Sequence, residues 1–157
     1  LLNKEPVDII DCINKTIGII RLKYPEAVIN VNNQLAQTMV QADAFHFANI
    51  IYNFLDNSIK YCDQKPSINI DLTNSDKNIV LQIADNGIGR EKSGALNAIK
   101  NKNHKSFATE AMQNRIDILN RTRKKPIKLD YTDKKNTKEQ AIGTVVNIEI
   151  PLNIWKP

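Results

Sequence analysis

Asn53, Asn57, Lys60 and Tyr61 stand at helical spacing in the stretch NFLDNSIKYC. At about 100° per residue, His46, Asn49, Asp56, Asn57 and Lys60 all fall within about 60° of Asn53, with Tyr61 at the edge. Phe47, Ile51, Phe54, Leu55 and Ile59 take the opposite side. Asparagine is a poor helix former because its amide competes for backbone hydrogen bonds, and two of them cost about 1 kcal/mol relative to alanine. A face of this make-up can do chemistry. An amide oxygen ligates a hard cation such as Mg²⁺ without adding charge, and its NH₂ donates to phosphate. A lysine one turn on offers a point charge to phosphoryl oxygens, and a tyrosine offers a flat surface to a base. The plainer alternative is an amphipathic helix with a solvated face, although such faces favour Glu and Lys in i,i+4 pairs.

A second motif follows at IADNGIG. An apolar strand ends at Asp85 and runs into Gly87 and Gly89, where the backbone can approach a ligand closely. A carboxylate at that strand end can accept a hydrogen bond from an exocyclic amine. Read alone, DNG is equally a hairpin turn signal.

The elements that must position these motifs are legible from periodicity. PVDIIDCINKTIGIIRLKY predicts a first helix, with Pro6 in its first turn and Pro25 just past its end. AVINVNN and QTMVQAD read as short strands around a polar turn. The next helix is expected from an N-cap at Asp43 to about Tyr61. SINIDLTN and NIVLQIADNG look like a hairpin, and the polar segment from Arg90 to Ser106 reads as a long loop. FATEAMQNRIDILNR predicts a third helix, and KPIKLDYT and GTVVNIEIPL close the chain as strands. The order points to an α+β fold, a two-layer α/β sandwich. Its mixed, mostly antiparallel sheet of about five strands would be covered on one face by three helices.

Composition sets the outer bounds. The 157 residues suit one domain, at 41% hydrophobic and 25% charged content. No apolar run approaches the ~20 residues that cross a bilayer, and no signal-peptide pattern opens the chain. Opening at Leu1 leads us to expect a piece of a longer protein. The net charge of +5 is scattered over several lysine groups, without a basic stripe and interleaved aromatics, so nucleic acid is not the expected partner. Cys12 and Cys62 lack metal-ligand spacing and read as small buried residues of a reducing compartment.

Taken together and in this order, the motifs resemble the ATP-binding catalytic domain of sensor histidine kinases, a branch of the GHKL or Bergerat-fold ATPases. NIIYNFLDNSIKY is similar to that family's asparagine box, DNGIG to its first glycine box, and GTVVNIEIPL to its final glycine box. NKEPVDIIDCI and VQADAFHFANII are also similar to kinase members, so the resemblance spans residues 1–157. It implies ATP and Mg²⁺ as cofactors. Asn57 would coordinate the metal, with Asn53 and Lys60 on phosphate oxygens and Tyr61 along the adenine or ribose. Asp85 would take the adenine N6 hydrogen bond, Gly87, Ile88 and Gly89 would pass close to the base, and Thr144 would add a contact beneath it. Asp56 would be the catalytic carboxylate that orients or deprotonates the attacking histidine.

The same resemblance makes residues 90–106 a lid, basic through Arg90, Lys92, Lys100, Lys102, His104 and Lys105. It departs from the family at Ser106 and Ala108, where glycines are usual, which leaves open a nucleotide-binding regulatory module that has lost phosphotransfer. An anti-sigma-factor serine kinase of the same fold is a further alternative. Neither His46 nor His104 sits in a dimerising helical hairpin, so the phosphoacceptor is expected on an adjoining dimerisation domain of the same protein. A response regulator would act downstream. The whole protein would be a homodimer, this piece a monomer, and the domain the cytoplasmic part of a membrane-anchored sensor.

Overall fold

The structure, a computed structural model, describes residues 2–100 and 107–152. Four expected contributors, Lys102, His104, Lys105 and Ser106, lie outside the described residues. In chain order the elements are β1 (Glu5–Asp8), α1 (Ile9–Lys23), β2 (Val28–Asn33), β3 (Met39–Ala42), α2 (Ala44–Lys60), β4 (Ser67–Ser75), β5 (Asn78–Asp85), α3 (Arg90–Lys100), α4 (Phe107–Asn120), β6 (Lys128–Lys135) and β7 (Ala141–Pro151).

Five strands form one sheet in the order β2-β4-β5-β7-β6, and β1 pairs with β3 in a separate two-stranded sheet. Only β2 and β4 run parallel; the other neighbours are antiparallel. Register aligns the buried residues in rows: Ile70 beside Ile83 beside Val146, and Leu72 beside Leu81 beside Ile148. Side chains alternate across a strand, so Asp71, Gln82 and Asn147 fall on the other face, where they are partly exposed. The rows pack with Ile13, Ile17 and Ile20 of α1, Phe47, Ile51 and Leu55 of α2, and Met112 and Ile116 of α4 in one core. This is the expected α+β sandwich, with a mixed, mostly antiparallel sheet of five strands.

Three expectations need correction. Pro6 does not open α1: it lies in β1, and the helix starts after Asp8, whose Oδ1 accepts from the amides of Ile10 and Asp11. A local N-cap placed after a proline-containing extended segment outweighs the preference of proline for a first turn. Residues 90–100 form a helix, α3, rather than a loop, so the described residues hold four helices and not three. Its polar composition concealed it because a helix exposed over much of its surface needs only a short apolar stripe, and Leu96 and Ile99 are exposed. Cys12 and Cys62 are only half-buried, and Cys62 lies just past α2.

Asp43 caps α2 as expected, its Oδ1 accepting from the His46 amide at 3.0 Å, and Tyr61 forms the C-cap. The helix thereby presents Asn57 and Tyr61 at its C-terminal end, next to the loop that leaves β5.

Candidate nucleotide site

The loop leaving β5 is tied to the end of α2. The Ile88 amide donates to the Tyr61 carbonyl at 2.9 Å. Gly87 lies so close that a Cβ there would sit 2.9 Å from the same carbonyl oxygen. Gly89 has φ +80, the left-handed region, and a Cβ there would meet Ala141 Cβ at 2.6 Å. Glycine is required at both positions by close approach, and at Gly89 also by backbone conformation.

Asp85 sits at the floor, 7% exposed. Its Oδ1 accepts from the amides of Gly87 and Thr144, each at 2.9 Å, and its Oδ2 accepts from the Ser58 hydroxyl at 2.9 Å. An ionised carboxylate offers about four acceptor positions, so Oδ2 keeps room for one further donor. Strands β5 and β7, the glycine loop and α2 therefore converge on one carboxylate.

Above it opens a cleft. Its walls are Phe54, Asn57, Ser58 and Tyr61 from α2, Gly87, Ile88 and Gly89 from the loop, Arg90 and Ser93 from α3, Met112 from α4, Tyr131 from β6, and Thr144 and Val146 from β7. Tyr131 packs its ring edge-on to Phe54, and the Arg90 guanidinium lies 4.1 Å from the Tyr131 ring centroid. Burial pushes the Tyr131 hydroxyl pKa up, with Arg90 pulling the other way. Asp133 accepts from the Arg90 amide at 3.1 Å and the Glu91 amide at 3.4 Å, satisfying donors that the first turn of α3 cannot pair internally.

Of the residues singled out from sequence, Asn57, Tyr61, Asp85, Gly87, Ile88, Gly89 and Thr144 line this cleft; Asn53, Asp56 and Lys60 do not. Asp56 is only 6% exposed, lying between α1 and α2. Its Oδ1 accepts from Lys23 Nζ and the Tyr24 hydroxyl, both at 2.8 Å, and its Oδ2 pairs with Lys60 Nζ at 2.6 Å. Burial alone would raise the Asp56 carboxyl, but hydrogen bonds from Lys23, Lys60 and Tyr24 outweigh it and hold the group below its ordinary range. Both oxygens are thus engaged by partners within the chain, and the carboxylate does not line the cleft. The helical wheel could not show this, because it treats α2 alone and α1 covers the Asp56 side.

Sequence reasoning passed over Ser58, Arg90 as a wall residue, Tyr131, Asp133 and Gly143. Gly143, with φ +147, brings β7 so close to β5 that a Cβ would sit 2.1 Å from the Asp85 carbonyl oxygen. The GT of the closing segment was the available signal. Ser58 and Tyr131 had none, since a serine on a helix and a tyrosine on a strand are ordinary.

The donor set fits a nucleotide and a metal that arrives with it. Among the described residues no three His, Cys, Asp or Glu side chains gather as a metal site. Asn57 offers a neutral amide oxygen at the cleft, which matches a Mg²⁺ held mainly by phosphate and water rather than by an all-protein cage. The Asp85 carboxylate, beside glycine backbone and a tyrosine, matches a base carrying an exocyclic amine.

Comparison with known proteins bears on the nucleotide. Residues 42–154 match the family described as histidine kinase-, DNA gyrase B-, and HSP90-like ATPase. Sensor protein RprX of Bacteroides fragilis is 30% identical over 97 residues, which cover 58% of this chain but 18% of that protein, so the chain spans under a fifth of its length. The structure of mycobacterial sensor histidine kinase MprB matches with a TM-score of 0.70 at 19% identity, over 95% of this chain and 97% of that one. Histidine kinase ThkA in complex with response regulator protein TrrA matches with a TM-score of 0.70 at 13% identity, over 94% of this chain and 41% of that one. No helix among the described residues is long and apolar enough to cross a membrane. With the fold of a histidine kinase catalytic domain, the chain belongs to the histidine kinase-, DNA gyrase B- and HSP90-like ATPase family.

Proposed function

We propose that the chain binds ATP with Mg²⁺ and serves as the catalytic domain of a two-component sensor histidine kinase. The γ-phosphoryl group passes to a histidine on an adjoining dimerisation domain, and a response regulator receives it next. The observation that carries the reading is Asp85: a buried carboxylate held by Gly87, Thr144 and Ser58, with acceptor capacity left on Oδ2.

In this reading the adenine amine donates to Asp85, Thr144 and the glycine loop flank the base, and Tyr61 lies along the adenine or ribose. Asn57 holds Mg²⁺, while Asn53 and Lys60 meet phosphate at the rim of the cleft. The metal supplies charge neutralisation of the phosphates and of the group in transfer. Asp56 is assigned to holding Lys60 rather than to taking a proton. The ThkA–TrrA complex supports a response regulator as the downstream partner.

The test is calorimetric titration of the chain with ATP and ADP, with and without Mg²⁺, beside Asn57→Ala. Expected is adenine-nucleotide binding that Mg²⁺ strengthens in the unaltered chain and does not strengthen in the variant. Binding that ignores Mg²⁺ in both proteins would remove the metal assignment. No binding by the folded chain would make it a regulatory module that has lost its nucleotide.

A further inference from the structure

Two lysines share one buried carboxylate between α1 and α2. Lys60 Nζ pairs with Asp56 Oδ2 at 2.6 Å and Lys23 Nζ with Oδ1 at 2.8 Å. Lys23 also donates to the Tyr52 hydroxyl at 3.1 Å and lies 5.1 Å and 5.6 Å from the ring centroids of Tyr24 and Tyr52. Among the described residues no other carboxylate pairs with either lysine. The cluster therefore carries one positive charge more than its carboxylate cancels. A structural tether between two helices needs one lysine, because a second adds repulsion between ammonium groups. Both lysine side chains are about half exposed, so the excess charge is open to an anion arriving from solvent.

That anion has an evident place. Lys60 does not line the cleft but stands three residues past Asn57, which does, so the two are neighbours on one face of α2, and the Lys60 side chain is half exposed beside it. We infer that Lys23, on a helix outside all the nucleotide motifs, is an electrostatic determinant of polyphosphate affinity. It neutralises Asp56, so that Asp56 can hold Lys60 at the rim without cancelling the charge Lys60 offers to phosphate. Lys23 is a positioning residue in this scheme and touches no nucleotide atom. The inference rests on the nucleotide reading above and deepens it, because it assigns the preference for ATP over the bare nucleoside to a contact between α1 and α2.

The experiment compares affinities of the whole chain for Mg-ATP and for adenosine in the unaltered protein, Lys23→Met, Lys23→Arg and the double variant Lys23→Met/Asp56→Asn. Adenosine reports the base pocket and guards against general misfolding. Lys23→Met should weaken ATP about five- to tenfold and leave adenosine unchanged, with the loss shrinking as salt is raised. Lys23→Arg should retain most ATP affinity. The double variant restores the net charge of the cluster and should recover ATP affinity, although it removes more of the tether. An unchanged ATP-to-adenosine ratio in Lys23→Met, or a double variant no better than Lys23→Met, would overturn the inference while leaving the nucleotide site in place. Failure of the unaltered chain to bind either ligand would overturn both.

Discussion

The Thr144 amide donates to Asp85 Oδ1 at 2.9 Å across 59 residues of sequence. This bond joins the start of β7 to the end of β5 at the floor of the cleft, and it shares Oδ1 with the Gly87 amide. Two backbone donors on one oxygen leave Oδ2 to Ser58, with Asp85 lining the cleft.

Asp85→Asn tests that division. The amide oxygen should take the Oδ1 place, where two N–H groups point, and the NH₂ should take the Oδ2 place, where Ser58 can accept from it. The fold should survive, while two donors then oppose each other at the adenine amine. The expected loss for ATP is tenfold or more, about 1.4 kcal/mol. Inosine triphosphate, which presents an oxygen at that position, should lose far less. Competition titration with the two nucleotides reads the difference, and equal loss of both would remove Asp85 from base recognition.

Two glycines should respond to alanine with opposite signs. Gly143 has φ +147, and a Cβ there would sit 2.1 Å from the Asp85 carbonyl oxygen, so Gly143→Ala should destabilise the fold by about 3 kcal/mol or more. Gly18 is exposed in the middle of α1 with nothing within 4 Å of a Cβ, so Gly18→Ala should stabilise by about 0.5–1 kcal/mol. Urea unfolding of the two variants against the unaltered chain measures both.

Asp133 caps α3 from a different element. Asp133→Ala should leave the Arg90 and Glu91 amides without their acceptor, at a local cost of about 1 kcal/mol. Hydrogen exchange at the first turn of α3 should quicken several-fold while α1 and α2 stay protected. Unaltered exchange there would show that the helix start is held by other contacts.

The Asp56 cluster also sets a pH dependence. The Asp56 carboxyl is lowered in the fold from its ordinary 3.8, so its stabilisation is fully present above that value and is lost as pH falls through the folded value. The melting temperature of the unaltered chain should exceed that of Asp56→Asn near neutral pH, and the gap should close on going from about pH 5 to about pH 2. At the alkaline end Lys60 is raised from its ordinary 10.5, chiefly by its hydrogen bond to Asp56. Its share persists below that value and is lost as pH climbs through the folded one. A gap that stays constant into acid would mean that Asp56 pairing adds nothing to stability.

Much of the molecule could be read from local signals. Strand alternation marked β4, β5 and β7, and the Asp43 cap with its apolar stripe marked α2, because these elements each bury one regular face. The helix α3 and the strand β1 escaped. A mostly exposed helix has too short an apolar stripe to register, and β1 owes its extended form to pairing with β3, residues 39–42, rather than to its own four residues.

The site divides along the same line. The sequence by itself determined which groups are available: amides at 53 and 57, a carboxylate at the end of a strand, and glycines where the chain must pass close to another strand. These follow from spacing and side-chain chemistry, which are local. Only the tertiary structure decided what each group can do. Asp85 and Asp56 are both buried aspartates with three donors each, yet one meets two backbone amides and a hydroxyl and lines the cleft, while the other meets two ammonium groups and a phenol and does not. The difference comes from β7 reaching the first and α1 reaching the second. Charge and hydrogen-bond capacity act through space, and the partners that use them come from parts of the chain far away in sequence.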